Sequence, residues 1–351
     1  MRPTVLFSMV VLILSSCKNP TPSATAPAPI SIIFDTDIGN DVDDVLALDM
    51  LYKYLDQGRI NLLGIVSSKD DHPYCAEFLD ILNTWYGYHN IPVGVLYNGI
   101  SIEDSIYTDH TKYTEYVCAL NVEGKPMFER TLNDYSNTPY SVDLMRKLLA
   151  EAPDTSVVII TVGFSTNISR LLDSEPDEYA SLSGKELIVK KVKYLSMMGG
   201  QLERNEGFKE FNIYMDEESA RNVLTNWPAP ILMSGFNVGM SILYPASSIQ
   251  NDFNHLEHHP MVEAYKCYLP MPYDRPTWDL TTVLSVVEKD SIYFGFSPVG
   301  RVSVTPDEFI FREDTNGHIT FLTVTETDRL RIKKRFVDLI SQTPKSQMDE
   351  N

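Results

Sequence analysis

A chain of 351 residues that is 43% hydrophobic and 22% charged can bury one large core or two modest ones, and this composition excludes an intrinsically disordered protein. Its 48 acidic residues against 29 basic ones give a formal charge of −19. No Lys/Arg run offsets that field, so it repels phosphate backbones and argues against a nucleic-acid partner. The same acidity concentrates cations and makes some carboxylates available as metal ligands.

The chain opens as an export signal. Arg2 supplies a basic start, residues 5–14 form an apolar run too short to cross a bilayer, and Leu14-Ser15-Ser16-Cys17 ends it with small residues before a cysteine. This pattern predicts a bacterial lipoprotein signal over 1–16, with Cys17 lipidated and the mature protein exported and anchored at a membrane surface, on the periplasmic or cell-surface side. Residues 17–29, rich in Pro, Ala and Thr, read as an extended tether. Residues 30–343 read as one folded domain and 344–351 as a polar tail. Cys75, Cys118 and Cys267 have no metal-ligand spacing and are expected as small buried apolar residues.

Within the domain, apolar β-branched runs alternate with helical periodicity. Residues 30–34 predict a strand, followed by an acidic loop and a helix over 43–55. A strand over 61–67, a helix over 73–86 and a strand over 91–95 come next. The alternation returns with helices over 141–152, 167–172 and 216–227, and strands over 156–162, 191–197 and 230–234. A helix over 279–287, short strands near 302, 309 and 320–324, and an amphipathic helix over 328–340 close the domain. Such alternation implies a Rossmann-like α/β fold: a mostly parallel sheet flanked by helices, with ligands at the carboxyl ends of the strands and a small C-terminal β addition on the sheet edge.

Chemistry concentrates in Asp35-Thr-Asp-Ile-Gly-Asn-Asp-Val-Asp-Asp44, which packs Asp35, Asp37, Asp41, Asp43 and Asp44 into ten residues. Helix capping uses one or two aspartates, not five. Crowded carboxylates raise one another's pKa, a cost that a hard cation bound by several oxygens offsets. An EF-hand loop starting at Asp35 fails, because Asn40 and Leu46 stand where Gly and Glu are required. A haloacid-dehalogenase-like phosphatase, with Asp35 as nucleophile, is the alternative from another reaction class.

The full segment, with Thr161-Val-Gly-Phe-Ser-Thr-Asn-Ile168, Met198-Gly-Gly200, Glu210-Phe-Asn-Ile213 and Trp278-Asp-Leu280, resembles the inosine-uridine-type nucleoside hydrolase family in the family's order. The resemblance implies calcium-dependent hydrolysis of the N-glycosidic bond of ribonucleosides or related N-ribosides, releasing ribose and base, as in purine and pyrimidine salvage. It implies a homo-oligomer. Asp37 would bind Ca2+ and act as general base, Asp44 would be a bidentate ligand, Asp279 would complete the carboxylates, and a backbone carbonyl at Thr166 or Ser165 would add an oxygen. Asp43, Asn205, Glu210 and Asn212 would hold the sugar. From the residues alone, Asn167 and Asp279 also read as helix caps, and Glu210 and Asn212 as alternating strand neighbours.

Two departures from the family pattern stand out. Three residues separate Gly39 from Asp43-Asp44, leaving the role of Asp41 open, and Trp278 stands where purine-cleaving members often carry an acid histidine. Indole donates only through its ring N–H, so Trp278 is expected to stack on a flat leaving group instead. Tyr273, Asp274, Arg275, His258, His259 and Tyr268 are further candidates to assist the leaving group, and Asp70 or Asp71 to contact the sugar. A non-catalytic calcium- and sugar-binding protein is the second alternative.

Overall fold

A computed structural model describes residues 28–101, 112–204, 206–288 and 293–348. Cys17 and Asn205 lie outside these residues. The main sheet runs in the spatial order Val93–Gly94, Ile60–Ser67, Ile30–Thr36, Val157–Thr161, Val192–Met198, Ile231–Ser234, Ile319–Thr323, Gly300–Val304 and Phe309–Glu313. The first seven pair in parallel, and the last two form an antiparallel hairpin on the edge. The expected hairpin is there, but Ile319–Thr323 joins the parallel part beside Ile231–Ser234.

The continuous apolar run of the opening strand follows from burial on both faces. Ile32 and Phe34 enter one core with the helices Asp43–Asp56, Tyr74–Trp85, Pro260–Tyr268, Trp278–Val287 and Glu326–Ile340. Ile33 points the other way, into a core shared with Ser141–Glu151, Thr166–Leu172, Gly184–Lys191 and Glu217–Asn226. The period-2 alternation of a strand thus serves two separate cores.

The first three strands extend to one side of Ile30–Thr36, and the chain then returns to lay Val157–Thr161 on its other side. This reversal opens a crevice at the carboxyl ends of these two strands, where open α/β sheets bind ligands. The described helices Tyr113–Ala119, Gly184–Lys191, Phe236–Met240 and Ala246–Asn251, absent from the sequence reading, are short or weakly periodic. Gly184–Lys191 carried a legible signal, because Ser183 and Glu186 form a capping box. Cys75 and Cys118 are buried and Cys267 is half-buried. No described helix is long and apolar enough to cross a membrane.

Candidate active site

The carboxylate loop leaves the opening strand at Thr36 and turns at Gly39, whose φ of +98° few side chains tolerate. Tyr113 clamps this loop: its hydroxyl accepts from the Gly39 amide (2.6 Å) and donates to the Asp41 carbonyl (2.7 Å). Buried Lys69 adds a hydrogen bond to the Gly39 carbonyl (3.3 Å). Neither Tyr113 nor Lys69 stands out in the sequence, because their partners lie 74 and 30 residues away.

Beyond the loop, Asp43 and Asp44 open the helix Asp43–Asp56, where the positive end of the peptide dipoles favours their charge. Asp279 arrives from the first turn of Trp278–Val287. Carboxylate oxygens of Asp43, Asp44 and Asp279 lie within 4.8 Å of one another, all buried. Asp43 also accepts from the Asp279 backbone amide (3.1 Å), so it caps that second helix from a distance. Asp279 therefore sits inside the first turn rather than capping its own helix, as the sequence had suggested.

Asp37 lines the same cavity and accepts from Asn40 Nδ2 (3.1 Å). Burial pushes its pKa up to about 7, partly offset by the Lys69 charge, with Asp43 adding repulsion. Burial likewise holds Asp43 at about 7, and Asp44 and Asp279 well above the usual carboxylate range, with repulsion from neighbouring carboxylates adding to the last two. Asp44 spends one oxygen on the Thr36 hydroxyl, while the other is buried with no hydrogen-bond partner. An orphaned buried carboxylate oxygen beside two more carboxylates is costly unless a cation completes it. An all-oxygen donor set suits a hard divalent ion.

Asp35 does not share this role. It is fully buried behind the cavity, accepting from Thr161 Oγ1 (2.7 Å) and Asn167 Nδ2 (2.8 Å). A carboxylate so enclosed cannot attack a phosphoryl group, which removes the phosphatase alternative's nucleophile. Asn167 is not an N-cap: Ser165 takes that position, and Asn167 ties Asp35 to the Ser67 carbonyl (2.9 Å). Neither Ser165 nor Thr166 is among the described residues lining the cavity: the Thr166 hydroxyl donates to Asp216, the Ser165 carbonyl accepts from Ser169, and Val162 lines the cavity in this stretch.

Glu210 and Asn212 reach the cavity, but not as strand neighbours. Glu210 N-caps the short helix Phe211–Met215, accepting from the amides of Asn212 and Ile213 (both 3.1 Å) and from Gly200 (2.9 Å). Asn212 donates to the Val162 carbonyl (2.8 Å). Burial raises the Glu210 pKa to about 7, partly offset by these amides. The Met198-Gly-Gly200 turn thus presents an amide to Glu210.

The cavity, about 220 Å3, has an aromatic side built by Phe236, Tyr268 and Trp278. The Trp278 indole lies 5.4 Å from Phe236, and its N–H donates to the Phe236 carbonyl (2.9 Å). Arg275 stands 5.1 Å over Tyr268 and 5.3 Å over Trp278 and forms an ion pair with Asp41. That pair gives Asp41 its place: it anchors Arg275 and accepts from the Val42 amide (2.6 Å).

The other expected groups are elsewhere. His259 is a core residue packed on Trp85 (4.1 Å) and Phe253 (5.2 Å), kept neutral by burial, and His258 points to the surface. Tyr273 stacks on Tyr265 with reciprocal hydroxyl-to-carbonyl bonds, and Asp274 accepts from the Ala246 amide. Asp70 accepts from the Gly99 amide, Asp71 faces Lys69, and neither lines the cavity.

A cluster of buried carboxylates at the switch point of a parallel α/β sheet, lining one cavity with a polar wall and an aromatic wall, is a donor set that fits a hard cation. The sequence profile of the inosine-uridine preferring nucleoside hydrolases matches residues 32–332, and the chain belongs to that family. It is 26% identical over 218 residues to the pyrimidine-specific ribonucleoside hydrolase RihA of Citrobacter koseri, covering 60% of this chain and 61% of that one. To RihA of Salmonella paratyphi A it is 32% identical over 142 residues, 39% and 42% of the two chains. The matched stretches thus span less than two thirds of these relatives. In fold it is similar to the purine-preferring ribonucleoside hydrolase of Gardnerella vaginalis (TM-score 0.65, 17% identity, 89% of this chain and 99% of that one). It is similar also to the inosine-uridine preferring nucleoside hydrolase of Bacillus anthracis (TM-score 0.64, 16%, 88% and 99%).

Proposed function

We propose that this protein hydrolyses the N-glycosidic bond of ribonucleosides or closely related N-ribosides, with a calcium ion held by Asp37, Asp44 and Asp279. The observation that carries this reading is the convergence of buried Asp37, Asp43, Asp44 and Asp279 with Glu210 and Asn212 around one cavity, in a chain of this family. Bound there, the cation would supply positive charge that acidifies water and binds sugar hydroxyls.

The chain's own groups supply the rest. Asp37 accepts a proton from the attacking water. Its elevated pKa in the cation-free protein falls once positive charge neutralises its neighbours, leaving it ionised and able to act as a base. Asp43 and Glu210 accept from sugar hydroxyls, and Asn212 completes that wall. These side chains are buried, where screening by water is weak, which strengthens each of these interactions. Trp278, Phe236 and Tyr268 hold the flat base.

Incubation with uridine, cytidine, inosine and adenosine, followed by a reducing-sugar assay with calcium or with chelator, tests this. Free ribose that disappears on chelation supports it. Calcium-dependent nucleoside binding without ribose release supports the non-catalytic alternative, which the lack of a histidine among the described cavity residues favours. Lipidation at Cys17 and export to a membrane surface are part of the same proposal, resting on the 1–17 segment. Cys17→Ser should move the protein from the membrane to the soluble fraction. Self-association is proposed too, and light scattering of the soluble domain checks it.

A further inference from the structure

We infer that Arg275 is the group that stabilises the departing base. Hydrolysis as proposed above forms a bond from water oxygen to the anomeric carbon, passes the water's proton to Asp37, and breaks the carbon–nitrogen bond. That bond's electron pair stays on the base, which leaves as an anion and takes its proton from solvent afterwards. Expelling such an anion is slow without a cation or a hydrogen-bond donor at its edge.

Among the described residues lining the cavity, Arg275 is the only cationic side chain. Of the neutral donors nearby, Trp278 Nε1 spends its one hydrogen on the Phe236 carbonyl, and Asn212 Nδ2 and Asn40 Nδ2 each spend one, on the Val162 carbonyl and on Asp37 respectively. Arg275 is held without being exhausted. Asp41 takes one terminal nitrogen, the rings of Tyr268 and Trp278 flank the guanidinium, and Nε is buried with no partner. An orphaned buried guanidinium N–H is costly unless a ligand uses it, and guanidinium offers five donors and no acceptor. Its side chain is 14% exposed, so its charge acts where water does not screen it. Arg275 stands three residues before Trp278, on the aromatic side of the cavity where a flat base is held.

The inference rests on the hydrolase reading, and the experiment separates the two. Wild type, Arg275→Gln and Arg275→Lys are compared on the fastest-cleaved nucleoside of the panel and on 4-nitrophenyl β-D-riboside, whose leaving group departs readily as an anion. For Arg275→Gln, kcat is expected to fall about 100-fold on the nucleoside, at least ten times more than on the nitrophenyl riboside, with Arg275→Lys recovering part of the loss. Equal losses on both substrates, no loss on either, or Gln matching Lys would overturn the inference. So would a wild-type enzyme that cleaves the nitrophenyl riboside but no nucleoside, which leaves ribosyl hydrolysis standing. A wild type that cleaves neither sinks the hydrolase reading and this inference with it. Thermal unfolding of each variant identifies a folding failure, in which case the wild-type-to-Lys comparison carries the test.

Discussion

Replacing Asp37 by Asn should stabilise the cation-free protein and destabilise the calcium-loaded one, relative to wild type. In the folded, cation-free chain the Asp37 pKa is pushed from 3.8 to about 7 by burial. The folded state therefore binds its proton more tightly than the unfolded state does. This favours folding below pH 4 and is lost as pH rises through about 7, so at pH 8 the ionised carboxylate costs on the order of 4 kcal/mol. An amide keeps part of the desolvation cost, so about 1–3 kcal/mol of gain is expected, or a few degrees in Tm. Thermal unfolding in chelator at pH 5 and pH 8 measures it: the gain should be present at pH 8 and shrink at pH 5. In millimolar calcium the order should invert, because wild type gains binding energy that the variant loses. A variant less stable than wild type in chelator at pH 8 would refute the premise that these carboxylates are strained without a cation.

Gly163→Ala should reduce turnover sharply without removing any reactive group, because a Cβ there would sit 2.5 Å from the Asp37 amide and overlap Ser68 Oγ. Near-wild-type kcat would show that Asp37 tolerates displacement. Asp279→Ala should weaken calcium affinity at least tenfold by calorimetry with unchanged circular dichroism, and unaltered affinity would remove it from the ligand set. Glu210→Ala removes acceptors for three backbone amides and an N-cap, predicting about 1–3 kcal/mol lower stability in denaturant titration together with a raised KM. Asp35→Asn should lower stability and spare calcium binding. If it abolished calcium binding while the fold survived, Asp35 would belong to the site after all.

The sequence by itself determined the layered α/β architecture, since apolar runs alternating with helical periodicity admit few other folds. It also put Asp37, Asp43 and Asp44 close together, because a strand end, a glycine turn and a helix start lie within ten residues and fix one another locally, and all three line one cavity. Asp279 was legible only through the order of the family's motifs. Local propensity misread Glu210 and Asn212 as strand neighbours: Glu210 begins a helix because its carboxylate finds three amides, one of them ten residues upstream at Gly200.

What only the tertiary structure decided are the roles set by contacts between distant residues. Asp35 and Asp37 are two positions apart, yet strand alternation and packing gave one carboxylate to Thr161 and Asn167 and the other to the cavity. Asp41 meets Arg275 across 234 residues, and Tyr113 reaches the acidic loop from a helix that no motif announced. His259, reactive on paper, lies enclosed in the core beside Trp85. Spacing along a chain encodes neighbours within a turn or a strand. Which buried charge meets a partner and which meets a cavity depends on how the helices and loops pack, and that depends on the whole chain at once.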